Sequence, residues 1–231
     1  MAAAEGARVF VISLEERDCE RLVAAIGGSG YAAADLTDES AAEAAFARAS
    51  DSIGAFDGLF AAAGGSGRRF GDGPVHELSL EAWGRTIELN GAPTFLAARE
   101  AISNMSSAGG SVVLVSSVLP TRPAPRLFPT HGYTAVKGAV NSLATALAAY
   151  YAPKKIRVNV IAPGLVRTPM SERAANDPET VEYAVRKQPL AGGFLEPKAI
   201  GDAAVFLLSD ESEQITGQII AVDGGWSVTE A

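Results

Sequence analysis

The sequence predicts an α/β fold: a doubly wound parallel sheet of about six strands, in a single domain spanning residues 1–231. Short β-branched runs alternate along the chain with longer helical segments, which is the pattern of repeated βαβ units. The strand candidates are continuously apolar rather than alternating, as expected for strands that helices cover on both faces. The length of 231 residues suits one domain of this kind.

The predicted elements keep that alternation from end to end. The apolar, β-branched runs are predicted as strands: Arg8–Ser13, Tyr31–Asp35, Gly58–Ala63, Ser111–Ser116, Arg157–Ala162 and Gln218–Val222. The segments between them are predicted as helices: Glu16–Ile26, Glu39–Ser50, Leu80–Ser107, Thr134–Ala152 and Pro197–Ser209. Ligands of such a sheet bind at the carboxyl ends of its strands, which here are Ser13, Asp35, Ala61–Gly65, Ser116–Ser117 and Pro163–Met170.

Composition excludes several classes of partner and site. With 27 acidic against 19 basic residues, a net charge of −8 and no basic block, the chain is not expected to bind nucleic acid or an anionic membrane. The longest apolar run, Val112–Leu119, is far shorter than the ~20 residues of a membrane span. A single Cys19 excludes an internal disulfide, and two histidines in no ligand spacing predict no metal site. We expect a cytoplasmic protein that binds a small-molecule substrate.

Tyr133 and Lys137, in the segment YTAVK, form the strongest local signal for chemistry. On a helix, residues four apart share a face and lie about 6 Å from each other. A neighbouring cation stabilises the phenolate and lowers the pKa of a tyrosine, as general acid–base catalysis requires. Taken alone, the pair also fits an ordinary surface contact.

Two further polar residues fall where they can join this pair. The run VVLVSS ends a strand and places Ser117 at the mouth of the crevice, where its hydroxyl can donate to a substrate oxygen. The roles of Ser117 and Ser116, one facing the site and one packing, could be reversed. Asn90 lies inside a predicted helix, an unfavourable place for asparagine, and Gly91 and Pro93 indicate a local break. Its amide either belongs to a hydrogen-bond relay to Lys137 or marks a helix bend.

From about Phe56 onward, these motifs resemble the short-chain dehydrogenase/reductase family. Tyr133 and Lys137 match its Tyr-x-x-x-Lys motif, Ser117 its strand-end serine and Asn90 its helix asparagine. Longer segments also resemble family signatures: the DLTDES run from Asp35, IRVNVIAPGLVRTPM at Ile156–Met170, and SDESEQITGQIIAVDGGW at Ser209–Trp226.

The resemblance implies reversible interconversion of a carbonyl and an alcohol with NAD or NADP. Ser117 would orient the carbonyl, Tyr133 would donate the proton, Lys137 would lower the Tyr133 pKa and hold the nicotinamide ribose, and Asn90 would position a water. The cofactor-binding positions it implies are Ser13, Asp35, Leu36, Ala63, Gly64, Lys137, Pro163, Gly164, Val166 and Thr168. It also implies a homo-oligomer, dimer or tetramer, assembled through Leu80–Ser107, Thr134–Ala152 and the C-terminal segment.

The first βα turn departs from the family pattern. Its G-x-x-x-G-x-G is replaced by SLEERDC, Ser13–Cys19, which contains no glycine. Glycines let the backbone approach a pyrophosphate at the helix N-terminus, whereas Glu15, Glu16 and Asp18 would repel it there. The same acidic side chains also stabilise the N-terminus of a helix.

The chain also looks short by one strand–helix unit. Tyr31–Asp35 resembles the family's third strand rather than its second, so we expect it to pair directly with the first strand. Asp35 lies at about the 20-residue offset of a ribose-binding acid. It could bind the ribose, contact the adenine or simply end a strand.

The loop after the third predicted strand is the last departure. The family's N-N-A-G becomes AAAG at Ala61–Gly64, and the glycine-rich loop that follows contains Arg68 and Arg69. These arginines either meet an anionic group of a ligand or belong to a solvated surface loop. Two other segments are expected to shape the substrate pocket: the proline-rich loop Leu119–Thr130 and a helical lid at Ser171–Gln188.

Two other functions remain open at this point. One is a cofactor-independent lyase or isomerase on the same scaffold, as in halohydrin dehalogenases, where an anion pocket replaces the nicotinamide. Those enzymes have arginine in place of the motif lysine, so Lys137 argues against a close match. The other is a non-catalytic subunit that keeps the fold for assembly.

Overall fold

The computed structural model describes residues 1–230 and has the predicted α/β architecture; Ala231, the last residue of the predicted domain, lies outside the described residues. The strands are β1 (Phe10–Ser13), β2 (Gly30–Ala33), β3 (Gly58–Ala61), β4 (Gly110–Val115), β5 (Ile156–Pro163) and β6 (Ile219–Val222). The helices are α1 (Glu16–Ile26), α2 (Glu39–Ile53), α3 (Leu80–Ser103), α4 (His131–Tyr151), α5 (Glu172–Ala175), α6 (Pro178–Lys187) and α7 (Pro197–Leu208).

The strands pair in parallel but form two hydrogen-bonded ladders rather than one. One ladder is β1-β2 and the other is β3-β4-β5-β6. Strand β2 pairs directly with β1, with Ser13 opposite Ala33, so the predicted pairing of these strands is confirmed. Side-chain packing continues between the ladders, because Phe10 and Ile12 of β1 pack against the buried cluster that contains Val112 of β4.

Helices cover both faces of the larger ladder, as the continuously apolar strands predicted. Val112 of β4 packs with Ala97 of α3 and Val140 of α4 in the main core. The next residue, Val113, packs on the opposite face with Leu207 of α7. Within residues 1–230, none of the helices combines the length and the apolarity needed to cross a membrane.

Helix α3 corrects the prediction of a local break near Asn90. The helix is continuous from Leu80 to Ser103 with Pro93 inside it, and it ends earlier than the predicted Ser107. A proline removes one backbone donor from a helix, and here Asn90, Pro93 and Thr94 are all buried. Tertiary packing of this face therefore keeps the helix together where local sequence indicated a break.

Helix α4 begins at His131, three residues before the predicted start. The carboxylate of Asp72 explains the difference, because it accepts hydrogen bonds from the backbone N–H groups of Gly132 and Tyr133. A carboxylate at a helix N-terminus satisfies donors that have no partner inside the helix. The cap comes from a distant loop, which local sequence does not reveal.

Candidate active site

A cavity of about 570 Å³ opens at the carboxyl ends of β3, β4 and β5. All four predicted catalytic residues line it: Asn90, Ser117, Tyr133 and Lys137. Five further predicted cofactor-binding residues line it as well: Gly64, Pro163, Gly164, Val166 and Thr168. The strand ends thus bring together residues that are far apart in the chain, as expected for a parallel sheet.

The two adjacent serines have different environments. The Ser117 hydroxyl acts on the phenol of Tyr133 and accepts from the Leu119 N–H at 3.2 Å, whereas the Ser116 hydroxyl donates to the backbone carbonyl of Lys137 at 2.8 Å. Ser116 therefore ties β4 to α4, and Ser117 faces the phenol. This is the arrangement in which Ser117, not Ser116, presents its hydroxyl to a ligand at Tyr133.

Burial acts on Tyr133 in the opposite sense to the predicted effect of Lys137. Removal from water raises the pKa of Tyr133 to about 12, and the effect of Ser117 only partly offsets this. Burial also lowers the pKa of Lys137 to about 8. Lys137 Nζ lies 5.7 Å from the centre of the Tyr133 ring and donates to the carbonyl of Val115 at 2.9 Å. Desolvation, rather than the neighbouring cation, dominates the pKa of Tyr133.

Asn90 holds the loop after β3 rather than contacting Lys137. Its Nδ2 donates to the carbonyls of Gly65 and Thr86 at 3.0 Å each, and its Oδ1 accepts from the Gly65 N–H at 3.0 Å. A Cβ on Gly64 would lie 2.6 Å from Asn90 Oδ1, and Gly64 has a φ of +147°. The amide therefore shapes the cavity wall through direct hydrogen bonds, and the relay from Asn90 to Lys137 stays a prediction.

Gln188 does the same for the loop after β5 and was missed from the sequence. Its Oε1 accepts from the Leu165 N–H at 2.6 Å, and its Nε2 donates to the carbonyls of Leu165 and Gly193 at 3.0 and 2.6 Å. A Cβ on Gly164 would lie 2.1 Å from Gln188 Oε1. Only glycine fits at position 164 while this fully buried amide stays in place.

The nicotinamide end of a dinucleotide fits this part of the cavity. The buried ammonium group of Lys137 donates one hydrogen bond to the Val115 carbonyl. Because an ammonium group has three donors, the others can bind ribose hydroxyls. Gly164, Val166 and Thr168 line the same wall of the cavity. Lys137, Gly164, Val166 and Thr168 are thus the residues that would hold a nicotinamide riboside.

The first βα turn does not provide a phosphate cradle of the usual kind. Helix α1 begins at Glu16 with Glu15 at its N-cap, and its first turn contains Glu16 and Asp18. Leu14 is exposed in the same turn. Bulky and acidic side chains occupy the place where glycine would let the backbone approach an anion.

Four predicted cofactor-binding residues do not line the cavity: Ser13, Asp35, Leu36 and Ala63. The Asp35 carboxylate accepts from the Thr37 N–H at 2.9 Å and from the Thr37 hydroxyl at 2.7 Å, so it closes a local turn. Leu36 packs against the main core. Ser13 ends β1, and Ala63 is exposed beyond β3.

The remaining wall comes from the loops that were expected to shape a substrate pocket. Leu119, Phe128 and Thr130 of the proline-rich loop line the cavity. The predicted lid segment is helical, forming α5 and α6, and contributes Ser171, Arg173 and Ala174. Arg68 also lines the cavity. Arg69 stacks on Phe70, with its guanidinium carbon 4.6 Å from the ring centre, and does not line it.

Comparisons with known proteins show which proteins this chain is similar to. A family model described as enoyl-(acyl carrier protein) reductase matches residues 1–227. An inactive 2-(S)-hydroxypropyl-CoM dehydrogenase 2 of Xanthobacter autotrophicus is 38% identical over 230 residues, covering 97% of this chain and 96% of that protein. A cis-4-hydroxycyclohexanecarboxylate dehydrogenase of Sinomonas cyclohexanicum is 33% identical, covering 98% and 89%. The structure of a short-chain type dehydrogenase/reductase from Mycobacterium ulcerans matches with a TM-score of 0.90 and 29% identity, covering 99% and 84%.

Proposed function

The chain belongs to the short-chain dehydrogenase/reductase family, and on that basis we propose that it is an NAD(P)-dependent oxidoreductase that interconverts a secondary alcohol and a carbonyl. The observation that carries the proposal is that Ser117, Tyr133 and Lys137 line one cavity at the carboxyl ends of the strands. Relatives named as dehydrogenases support it over a lyase or a non-catalytic subunit.

The site residues have different roles in the proposed reaction. A bound nicotinamide cofactor would supply or accept the hydride. Tyr133 transfers the proton to or from the substrate oxygen, and Ser117 donates a hydrogen bond to the same oxygen. Lys137 stabilises the phenolate form when Tyr133 gives up its proton. Asn90 acts on the wall of the site through Gly64 and Gly65 rather than on the substrate.

The charge around the first turn favours NAD over NADP as the cofactor. Glu15, Glu16 and Asp18 lie in that turn, and Asp35 follows β2, the strand that pairs directly with β1. The extra phosphate of NADP would add negative charge to an acidic surface, which costs free energy. Measured kcat/KM values for the two cofactors test this choice.

We also propose that the protein is cytoplasmic and assembles as a homo-oligomer. Helices α3 and α4 expose large side chains: Trp83, Phe95 and Tyr150 are 37%, 50% and 70% exposed. These helices pack against each other, and burial of their large exposed side chains in an interface would favour assembly. Light scattering coupled to size-exclusion chromatography tests the assembly.

The function is tested by binding and turnover on the wild type and Tyr133→Phe. We expect NADH to bind both proteins, and a panel of cyclic secondary alcohols to be oxidised by the wild type only. Absence of NADH and NADPH binding at millimolar concentrations would contradict a dinucleotide-dependent enzyme.

A further inference from the structure

The cavity wall is cationic although the protein is acidic. The chain has 27 acidic and 19 basic residues. Among residues 1–230, those that line the cavity nevertheless include three cations, Arg68, Lys137 and Arg173, and no aspartate or glutamate. Lys137 has a place in the proposed reaction, whereas the two arginines have none. A cationic pocket in an acidic protein attracts an anionic ligand.

Arg68 reaches the cavity from the loop after β3. It lies in the short 3₁₀ helix Gly67–Phe70, is partly buried, and donates from one Nη to the Leu127 carbonyl at 2.9 Å. The negative charge of Asp72 acts on the guanidinium group of Arg68. Both carboxylate oxygens of Asp72, however, accept hydrogen bonds from backbone N–H groups of α4. The hydrogen bond to Leu127 fixes the guanidinium and leaves several of its five donors available.

Arg173 approaches the same place from the lid. It lies in α5, where its neighbour Ala174 packs against Phe128, the residue after the Leu127 that anchors Arg68. Its positive charge contributes to lowering the pKa of Arg68, after the larger effect of burial. In the described part of the chain neither arginine takes part in an ion pair. The acids whose charge reaches them, Asp72 for Arg68 and Asp177 for Arg173, form no such pair with them, so an anion bound between the two guanidinium groups would be stabilised by both.

The position of the pair points to the substrate rather than to the cofactor. Phe128, beside the Arg68 anchor, packs in the apolar cluster that contains Tyr133 and Trp226. The turn expected to meet a pyrophosphate is at Ser13–Cys19, and Ser13 does not line the cavity. The arginines are therefore on the side of Tyr133 that faces the lid.

We propose that Arg68 and Arg173 form an oxyanion-binding subsite that holds the carboxylate of an alcohol or ketone substrate while its reacting carbon lies at Tyr133. The proposal rests on the proposed oxidoreductase function for the reaction, but not for the binding of the anion. The apolar cluster around Phe128 and Trp226 would contact the body of the substrate. The substrate class is thus a small hydroxy acid or keto acid with an apolar frame.

Equilibrium binding tests the subsite without any turnover. Cyclohexanecarboxylate and its neutral counterpart cyclohexanol are titrated by calorimetry into the wild type, Arg68→Ala and Arg173→Ala. We expect the carboxylate to bind the wild type and each variant to weaken it about 10- to 100-fold, since a charge-assisted pair is lost. Arg69→Ala and Arg186→Ala, which remove arginines outside the cavity wall, should leave it unchanged. Equal binding of acid and alcohol, or equal loss in the controls, would overturn the subsite.

Kinetics then separate this proposal from the function itself. The wild type is assayed with cis-4-hydroxycyclohexanecarboxylate and with cyclohexanol, using NAD. We expect Arg68→Ala to lower kcat/KM for the acid about 10- to 100-fold, mainly through KM, and for the neutral alcohol less than about 3-fold.

Turnover of both alcohols with no preference for the acid overturns the subsite alone. Carboxylate binding without turnover of any alcohol supports the subsite and overturns the oxidoreductase. A higher KM for NAD in Arg68→Ala, with unchanged carboxylate binding, would instead show that the arginines bind the cofactor.

Discussion

The carboxylate of Asp72 holds the backbone of Tyr133: Oδ2 accepts from the Tyr133 N–H at 2.9 Å, and Oδ1 accepts from the Gly132 N–H at 2.8 Å. Asp72 is 5% exposed, so these bonds are shielded from water. The residue proposed to transfer the proton is therefore positioned by a side chain from the loop that also contains Arg68. Asp72 is a positioning residue, since it acts through Tyr133 and does not line the cavity.

Replacing Asp72 with alanine should affect both folding and catalysis. The variant leaves two N–H groups of α4 unsatisfied, so we expect the free energy of unfolding to fall by about 2–3 kcal/mol. We expect kcat to fall about 10-fold or more because Tyr133 loses its fixed position. Urea denaturation and steady-state kinetics measure the two effects.

Asp38→Ala is the control. Asp38 caps α2 by accepting from the Ala41 N–H, so its loss should lower the free energy of unfolding by about 1 kcal/mol and leave kcat unchanged. An Asp72→Ala enzyme with normal kcat would contradict the positioning role.

Tyr133→Phe should abolish turnover and spare the fold. The change removes only the Tyr133 hydroxyl, on which Ser117 acts, so we expect kcat to fall by about 10³-fold or more. The binding of NADH and of cyclohexanecarboxylate should stay within about 3-fold. Tyr31→Phe is a matched control, because its hydroxyl contacts Glu20 on the surface. Residual kcat above a few per cent of wild type would assign the proton transfer to another group.

Lys137 should make stability depend on pH in a defined window. Its pKa is about 8 in the folded protein against 10.5 for the free side chain. Between these values the unfolded chain binds more protons, so stability rises with pH. From pH 7.5 to 10 we expect the wild type to gain about 2 kcal/mol relative to Lys137→Met. Urea denaturation of both proteins across this range measures the difference. The raised pKa of Tyr133 acts in the opposite sense near pH 10, but Lys137→Met keeps Tyr133, so this contribution cancels in the comparison. A flat difference would show that Lys137 is not desolvated.

Gly164 should tolerate no side chain. A Cβ there would lie 2.1 Å from Gln188 Oε1 and 3.2 Å from the Asp223 Cα, so Gly164→Ala must displace the amide that holds Leu165. We expect a loss of about 2–3 kcal/mol in the free energy of unfolding and weaker NADH binding. Gly84, in α3, has no atom within 4 Å of an added Cβ. Gly84→Ala should stabilise the helix by about 0.5–1 kcal/mol. Equal effects of the two substitutions would show that the Gly164–Gln188 contact is not tight.

Local sequence predicted the parts of the site that lie within one element or at its end. Tyr133 and Lys137 are one helical turn apart, and Ser117 follows an apolar strand, so spacing alone places them. Gln188 and Asp72 were missed because each reaches the site through contacts that span many residues of chain, 23 in the case of Gln188 and Leu165. A buried amide beside a glycine has no signature before the fold brings the two together.

Two other differences have the same physical origin. Spacing predicted the cation near Tyr133 but not the loss of water around the phenol, which raises the pKa of Tyr133. The continuity of α3 was missed because propensity at Gly91 and Pro93 is weaker than the packing of Asn90 and Thr94 in the core. The alternation of strands with helices and the direct pairing of β2 with β1, in contrast, were predicted from the sequence.

The acidic first turn should weaken cofactor binding through charge. Glu15, Glu16 and Asp18 lie at the N-terminus of α1, where a pyrophosphate would add negative charge to negative charge. In the variant Glu15→Gln/Glu16→Gln/Asp18→Asn, we expect the Kd for NADH to fall about 5- to 30-fold at low ionic strength. Because these side chains are exposed, the gain should shrink in 0.5 M salt, where the screening length is only a few ångströms, roughly 4–5 Å.

A charge-matched control separates this local repulsion from the net charge of the protein. Asp51, Glu88 and Glu211 are exposed and lie on other elements, so Asp51→Asn/Glu88→Gln/Glu211→Gln changes the net charge equally and should leave the Kd within about 2-fold. Fluorescence titration of NADH at two salt concentrations measures both variants. If the acidic-turn variant gains no affinity at low salt, the obstacle is the missing backbone cradle rather than the carboxylates. A glycine substitution across Leu14–Arg17 would then be needed to restore tight binding, because only glycine lets the backbone reach the phosphates.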